Sequence, residues 1–106
     1  MPKYLIEASY TLDGARGLQR AGGSSRRDAV AQMTQGVGGS LESFHFGFGD
    51  TDAYVIVDLP DAEAAAAVAL TVNAAGGATT RTVLLLTPEE VDAAAQRSVD
   101  YRPPGS

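Results

Sequence analysis

The chain is predicted to be an α+β domain of the ferredoxin-like class, with the element order β-α-β-β-α-β followed by a short terminal helix. Four segments alternate between apolar and polar residues, which is typical of half-buried strands. Two other segments are helical in pattern, one through its apolar spacing and one through its alanine content. Short connections and right-handed crossovers assemble this order into a four-stranded antiparallel sheet with two helices on one face.

The composition is that of one folded domain. Of the 106 residues, 44% are hydrophobic and 20% are charged, which is ordinary for a globular protein. We expect a single domain over residues 1–97 and a flexible tail over residues 98–106. Because the chain contains no cysteine, disulfides, thiolate catalysis and cysteine-based metal sites are excluded.

The charge balance limits the classes of partner. Eight Lys and Arg residues against 13 Asp and Glu residues give a net charge of −5, whereas nucleic-acid binding depends on positive charge. No apolar run approaches the ~20 residues that span a bilayer, and the N-terminus lacks the pattern of a secretory signal. We therefore expect no nucleic acid, no membrane and a cytoplasmic location.

The first half of the chain predicts a strand, a loop and a helix. Residues 4–10 alternate as a strand, and residues 11–23, with four glycines, are expected to form a loop with at most a turn of helix around residues 15–20. Ser24-Ser25 is predicted to cap the first helix, which Gly38-Gly39 ends. Its buried stripe is predicted to be Val30, Met33 and Val37.

The second half predicts a hairpin, a helix, a strand and a final short helix. Residues 41–48 and 53–59 alternate as strands around the turn at residues 49–52, and residues 79–86 form the fourth strand. Asp61 is expected to cap the alanine-rich helix 62–75. Thr87-Pro88-Glu89-Glu90 has the form of a capping box with proline at the first helical position, so a helix is expected to follow through about residue 96.

Strand alternation divides the sheet into two faces. The set expected to face the helices is Tyr4, Ile6, Phe44, Phe46, Phe48, Val55 and Val57. The set expected on the opposite face is Leu5, Glu7, Ser9, Leu41, Ser43, His45, Tyr54, Ile56 and Asp58. A one-residue slip in pairing would exchange the faces of a strand. Because the second set is half apolar, we expect this face to be covered by another copy of the chain, which predicts a homo-oligomer.

The segment from Gly49 to Asp61 resembles the signature of the GYD domain family. These proteins are small, mostly bacterial, and assigned to the dimeric α/β barrel group of ferredoxin-like folds. The resemblance extends over roughly residues 2–90, and the Gly and Asp of the signature fall on Gly49 and Asp52, while its tyrosine position carries Thr51. It implies the fold and oligomerisation. It supplies no established reaction, and dimeric α/β barrels include enzymes and non-catalytic proteins.

Three residues are candidates for catalysis. His45 is the only histidine, and histidine is the side chain that titrates near neutral pH. Glu7 interrupts an apolar strand, and Tyr54 is expected near His45 on the paired strand. Together they are a candidate acid/base set. The alternative is structural: a hydrogen-bonded histidine in an interface, and a glutamate paired with Arg81 across neighbouring strands.

Three further residues are candidates for binding a ligand. Ser43 lies beside His45, Asp58 ends the third strand, and Arg16 is placed to close over a cleft from the loop. An apolar or acidic small molecule is the expected ligand, with Arg16, Arg20, Arg26 and Arg27 as the available cations. Asp50 and Asp52 fit a turn better than a cation site. The sequence identifies no metal site and no cofactor.

Two functional hypotheses follow from these residues. The first is a non-catalytic module for assembly or ligand binding, favoured by the absence of any complete catalytic motif. The second is a small-molecule enzyme of the dimeric α/β barrel kind, acting in a cleft between the sheet and the loop.

Overall fold

The computed structural model describes residues 1–105 and has the predicted α+β architecture with one additional helix. Four strands and four helices follow one another along the chain. Their bounds are β1 (Lys3–Tyr10), α1 (Leu12–Ala21), α2 (Gly23–Gly36), β2 (Ser40–Phe46), β3 (Ala53–Asp58), α3 (Ala62–Ala75), β4 (Ala78–Leu85) and α4 (Pro88–Ala95).

The strands form one four-stranded sheet in the order β2-β3-β1-β4, and every neighbouring pair is antiparallel. In both β-α-β units, β1 to β2 and β3 to β4, the chain crosses over one intervening strand, as the interleaved arrangement of the split βαβ class requires. The predicted ferredoxin-like class is therefore confirmed. Because β1 is central, its side chains are flanked by those of β3 and β4.

The core lies between the sheet and the helices. Tyr4, Ile6 and Ala8 alternate into it from β1, as predicted, and Val55 and Val57 enter it from β3. Val30 from α2 and Val68 from α3 cover them. At about 25 cal/mol per Å² of apolar surface, this layer is the main stabilising contribution to the fold.

Residues 11–23 were predicted to be a loop, but residues 11–22 form the helix α1 and its caps, and Gly23 begins α2. The Thr11 hydroxyl accepts a hydrogen bond from the Gly14 amide and caps the helix. A glycine inside a helix costs about 1 kcal/mol relative to alanine, which made Gly14 and Gly17 look like loop residues. Gly14 has a packing reason, since a Cβ there would collide with the Gly77 carbonyl before β4. Tertiary packing overrides the local propensity.

The predicted cap of the next helix was wrong. Gly22 is the N-cap residue of α2, no side chain caps the helix, and Ser24 and Ser25 lie within its first turn. Because α1 ends immediately before α2, the chain turns at Gly22 with a positive φ of 87°, which favours glycine over serine. At the other end the helix stops at Gly36, two residues before Gly38, whose φ is 86°.

Two residues of the predicted β2 lie elsewhere than expected. The pairing of β2 with β3 is irregular between Leu41 and Ser43, so Leu41 stands opposite Val57 and packs on the core. An extra residue in one strand shifts the alternation on one side of it. Phe48 was expected in the core, but β2 ends at Phe46, and Phe48 has a φ of 52° and is 65% exposed. It lies in the loop, with its ring stacked on Phe46 at 5.6 Å.

The remaining caps are confirmed. Asp61 accepts a hydrogen bond from the Ala64 amide at 2.8 Å, and the capping box of α4 joins Thr87 and Glu90 in both directions. Helix α4 has no buried residue, and the chain is elongated, at 55 × 33 × 23 Å. Within residues 1–105, no helix is long and apolar enough to cross a membrane.

Candidate functional site

The three candidate catalytic residues lie in one row across the open face of the sheet. The register places Tyr54 of β3 opposite His45 on one side and opposite Glu7 on the other, and Glu7 is in turn opposite Arg81 of β4. Directly opposite residues on neighbouring strands point to the same face. We refer to His45, Tyr54, Glu7 and Arg81 as the polar row.

Within the polar row, Glu7 and His45 are separated by a strand. Two strand spacings amount to about 9.6 Å, so the carboxylate and the imidazole do not form a direct pair. The Glu7 carboxylate already has two partners, because Oε1 accepts from the Thr51 hydroxyl at 3.4 Å and Oε2 accepts from the Arg81 guanidinium at 3.1 Å. The predicted pairing of Glu7 with Arg81 is thus present.

The burial of that ion pair is uneven. The Glu7 side chain is 17% exposed, whereas that of Arg81 is 76% exposed. An ion pair with one partner in solvent stabilises a fold by about 0–1 kcal/mol, so stability alone is a weak reason for its presence. Acid/base chemistry in this row would pass through Tyr54, the one side chain between the carboxylate and the imidazole.

An apolar row lies next to the polar row on the same face. Ile56 of β3, Leu5 of β1 and Val83 of β4 stand opposite one another, with Ser43 of β2 at the end. Val83 is 43% exposed, and Leu5 and Ile56 are half-buried. We refer to Ile56, Leu5 and Val83 as the apolar row; it brings Ser43 next to the polar row, as expected.

Asp58 occupies the far end of the open face and is already paired. Its Oδ1 is 3.0 Å from the Lys3 Nζ, and Glu42 Oε1 is 2.6 Å from the same atom. Hydrogen bonds to Glu42 and then to Asp58 raise the pKa of Lys3 above 10.5. Asp58 therefore acts first as a partner of Lys3.

Arg16 does not join the other candidate residues. It lies in α1, which contacts α2 and β1, and its side chain is exposed. The loop that was expected to carry it over the open face is a helix on the other side of the sheet. The structure consequently places Arg16 apart from Glu7, Tyr54 and His45.

The acidic turn has a structural role. Asp52 Oδ2 accepts from the Tyr10 amide at 2.8 Å, and the Asp52 amide donates to the Ala8 carbonyl at 2.9 Å, so the turn is fastened to the end of β1. Among residues 1–105, no cluster of three or more histidine or carboxylate side chains is arranged to hold a metal ion.

Sequence reasoning missed Thr51 and Tyr10. Thr51 is only 7% exposed and donates to Glu7, although its position in a turn suggested no role. Tyr10 lies between the sheet and α2, where burial raises the pKa of its phenol and the Arg26 guanidinium beside it offsets part of the rise. The contact of Thr51 with Glu7 and that of Tyr10 with Arg26 each join residues distant in sequence, so no local sequence pattern predicts them.

The comparisons with known proteins identify a family. The family model described as the GYD domain matches residues 4–95, which is most of the chain. No curated protein and no solved structure matches the sequence.

Proposed function

We propose that this chain, which belongs to the GYD domain family, is a non-catalytic module that associates with further copies of itself through the open sheet face. The observation that carries the proposal is the apolar row. Its three side chains cross β3, β1 and β4 in a line, on the face opposite the core, which none of the helices within residues 1–105 covers. Covering apolar surface of this kind is favourable by roughly 25 cal/mol per Å².

The charge of this face favours a second copy as its partner. Lys3 and Arg81 are the cations of this face. Against them stand Asp58, Glu7 and Glu42, so these five charges sum to −1, although the whole chain carries a net charge of −5. Two faces with so little net charge repel each other less than two strongly acidic surfaces do. This face is not electrostatically complementary to a strongly basic or strongly acidic partner.

The C-terminal arm, residues 86–95, which follows β4, adds to the available area. The sheet face measures roughly 19 by 27 Å, or about 500 Å², from strand spacing and rise, whereas a standard interface takes about 800 Å² from each partner. The arm carries Leu86 and Val91, each more than half exposed, and its helix α4 has no buried residue. A second copy that contacts both the sheet and the arm reaches the required area.

Replacing Val83 with glutamate tests the interface. We expect Val83→Glu to raise the dissociation constant about 100-fold or more, because a carboxylate in the apolar row must be desolvated on association. The measurement is sedimentation velocity over a concentration series. The matched control is Thr82→Glu, since Thr82 is exposed and adjacent but pairs with Ile6 on the helix side. Equal effects of the two variants, or a wild-type protein that is still monomeric at about 100 µM, where a micromolar Kd would give mostly dimer, would contradict the proposal.

A second function is supported by the polar row. Glu7, Tyr54 and His45 share one row beside apolar side chains, and a second copy covering the face would enclose them in a cleft. Such a cleft suits an aromatic or apolar metabolite, with the carboxylate and the imidazole at its two ends and the phenol between them. This is the enzyme hypothesis, and the cofactor remains unassigned in it.

Removing the Tyr54 hydroxyl tests the enzyme hypothesis. We expect Tyr54→Phe to lower turnover of a phenolic or other aromatic metabolite about 100-fold, because the proton path between Glu7 and His45 is interrupted. Turnover is followed by mass spectrometry of a defined panel of such compounds. Tyr101→Phe, at an exposed tyrosine of the tail, is the control. Wild-type protein that converts none of the panel leaves the non-catalytic module as the better description.

A further inference from the structure

A second concave region lies on the opposite side of the sheet from the proposed interface. Helices α1, α2 and α3 enclose a cleft of about 470 Å³, which is within the usual range for small-molecule sites. More than half of the residues that line it are glycine or alanine, among them Gly14, Gly17, Ala21, Ala29, Ala75 and Gly77. Their lack of side-chain bulk leaves the volume open, and larger residues at these positions would fill it.

The cleft continues inward as a narrow apolar channel. This channel, of about 40 Å³, runs between the helices and the sheet, and Tyr10, Arg26, Val72 and Ala78 line both spaces. Arg26 is therefore at the junction, with its guanidinium between an open cleft and an apolar interior. A half-buried cation in such a place requires a compensating group.

Within residues 1–105, no carboxylate lies within ion-pair distance of Arg26. In the part of the chain that the structure describes, the ion pairs involve Lys3, Arg27 and Arg81, and none involves Arg26. The neighbouring Arg27 is exposed and pairs with Asp28 at 3.2 Å. The Asp52 carboxylate acts on the Tyr10 phenol from the other side, since it accepts from the Tyr10 amide.

The phenol beside Arg26 supplies a second donor. Burial raises the pKa of Tyr10, with Asp52 adding to the rise and Arg26 opposing it, so the phenol keeps its proton at neutral pH. A guanidinium and a hydroxyl side by side form the donor set that an anionic oxygen pair accepts from. The Ser25 hydroxyl lines the same cleft.

We propose that this cleft binds a small organic carboxylate, with its anionic head on Arg26 and Tyr10. The apolar body of the ligand lies against Leu18 and Val72 and the small residues of the three helices. A monocarboxylate of benzoate or hexanoate size suits the volume of the cleft and the single charge of Arg26. The site is separate from the sheet interface, so it holds whether or not the chain self-associates there.

The test is an amide NMR titration of the full chain with benzoate, hexanoate and the neutral isostere benzamide. We expect saturable shifts at residues lining the cleft for both carboxylates, and affinity for benzamide at least about tenfold weaker, since it lacks the charge. Arg26→Gln is expected to weaken benzoate binding at least about tenfold. Arg27→Gln, one residue along the same helix, is the matched control and is expected to leave it unchanged.

A cleft-filling variant tests the location independently of charge. A Cβ at Gly17 would meet only the Arg20 guanidinium, at 4.0 Å, so Gly17→Leu is expected to fold and to abolish benzoate binding. Equal affinity for benzoate and benzamide, equal effects of Arg26→Gln and Arg27→Gln, or shifts on the open sheet face would each overturn the proposal. The absence of a saturable shift with either carboxylate would overturn it as well.

Discussion

Replacing Leu59 with alanine is expected to lower the free energy of unfolding by about 2–5 kcal/mol. Leu59 is fully buried and follows β3 directly. Its amide donates to the Pro2 carbonyl at 3.0 Å, and a Cβ built at Gly39 would lie 2.9 Å from its Cδ2 atom. The side chain thus fills the space where the N-terminus, the start of β2 and the end of β3 meet, and alanine would leave a cavity there.

Leu70→Ala is the matched control for this prediction. Leu70 is the same residue type in α3 but is 73% exposed, so its truncation is expected to change stability by no more than about 0.5 kcal/mol. Urea unfolding followed by circular dichroism measures both variants at one protein concentration, since association adds to stability. Losses of equal size would show that the Leu59 side chain is not a core residue.

The sequence predicted those features of the fold that depend on local signals. Alternation in β1 and β3 identified Tyr4, Ile6, Val55 and Val57 as core residues, because a two-residue period has one face to bury. The capping box at Thr87 was equally predictable, since all its atoms belong to four consecutive residues. These features need no knowledge of the rest of the chain.

The errors came from contacts between distant segments. Helix α1 was missed because Gly14 is required by Gly77, which is far along the chain. The irregular pairing at Leu41 was missed because the extra residue is defined only against β3. Local propensity predicted a loop for the first segment and regular alternation for the second. Tertiary packing instead produces a helix and an irregular strand pairing.

The candidate site shows the same division. The sequence named Glu7, Tyr54 and His45 individually, but their alignment in one row follows from the register of three strands. Tyr10 and Arg26 come together only because the fold brings the start of α2 near the end of β1, and no spacing in the sequence predicts that proximity. The sequence therefore identifies the candidate residue types, whereas their arrangement into a site depends on the tertiary structure.

Gly14→Ala is expected to lower the free energy of unfolding by about 2–4 kcal/mol, although alanine is the better helix former. A Cβ at Gly14 would collide with the Gly77 carbonyl oxygen and lie 2.8 Å from the carbonyl carbon. That oxygen also accepts from the Thr11 amide at 3.1 Å, and the Gly76 carbonyl accepts from the Thr11 hydroxyl at 2.8 Å. A displaced α1 would lose these bonds and open the cleft that it helps to enclose.

Gly17→Ala, one turn further along α1, separates close approach from helix propensity. A Cβ there is at ordinary van der Waals distance from its neighbours, so the free energy of unfolding of this variant is expected to rise by up to about 1 kcal/mol. Differential scanning calorimetry of the two variants shows directly whether each substitution stabilises or destabilises the protein. If both substitutions stabilise the protein, α1 does not rest on the connection between α3 and β4, and the cleft loses the wall that Gly14 and Gly17 provide. If Gly14→Ala destabilises the protein and Gly17→Ala stabilises it, Gly14 is required by its contact with Gly77, which shapes the proposed carboxylate site.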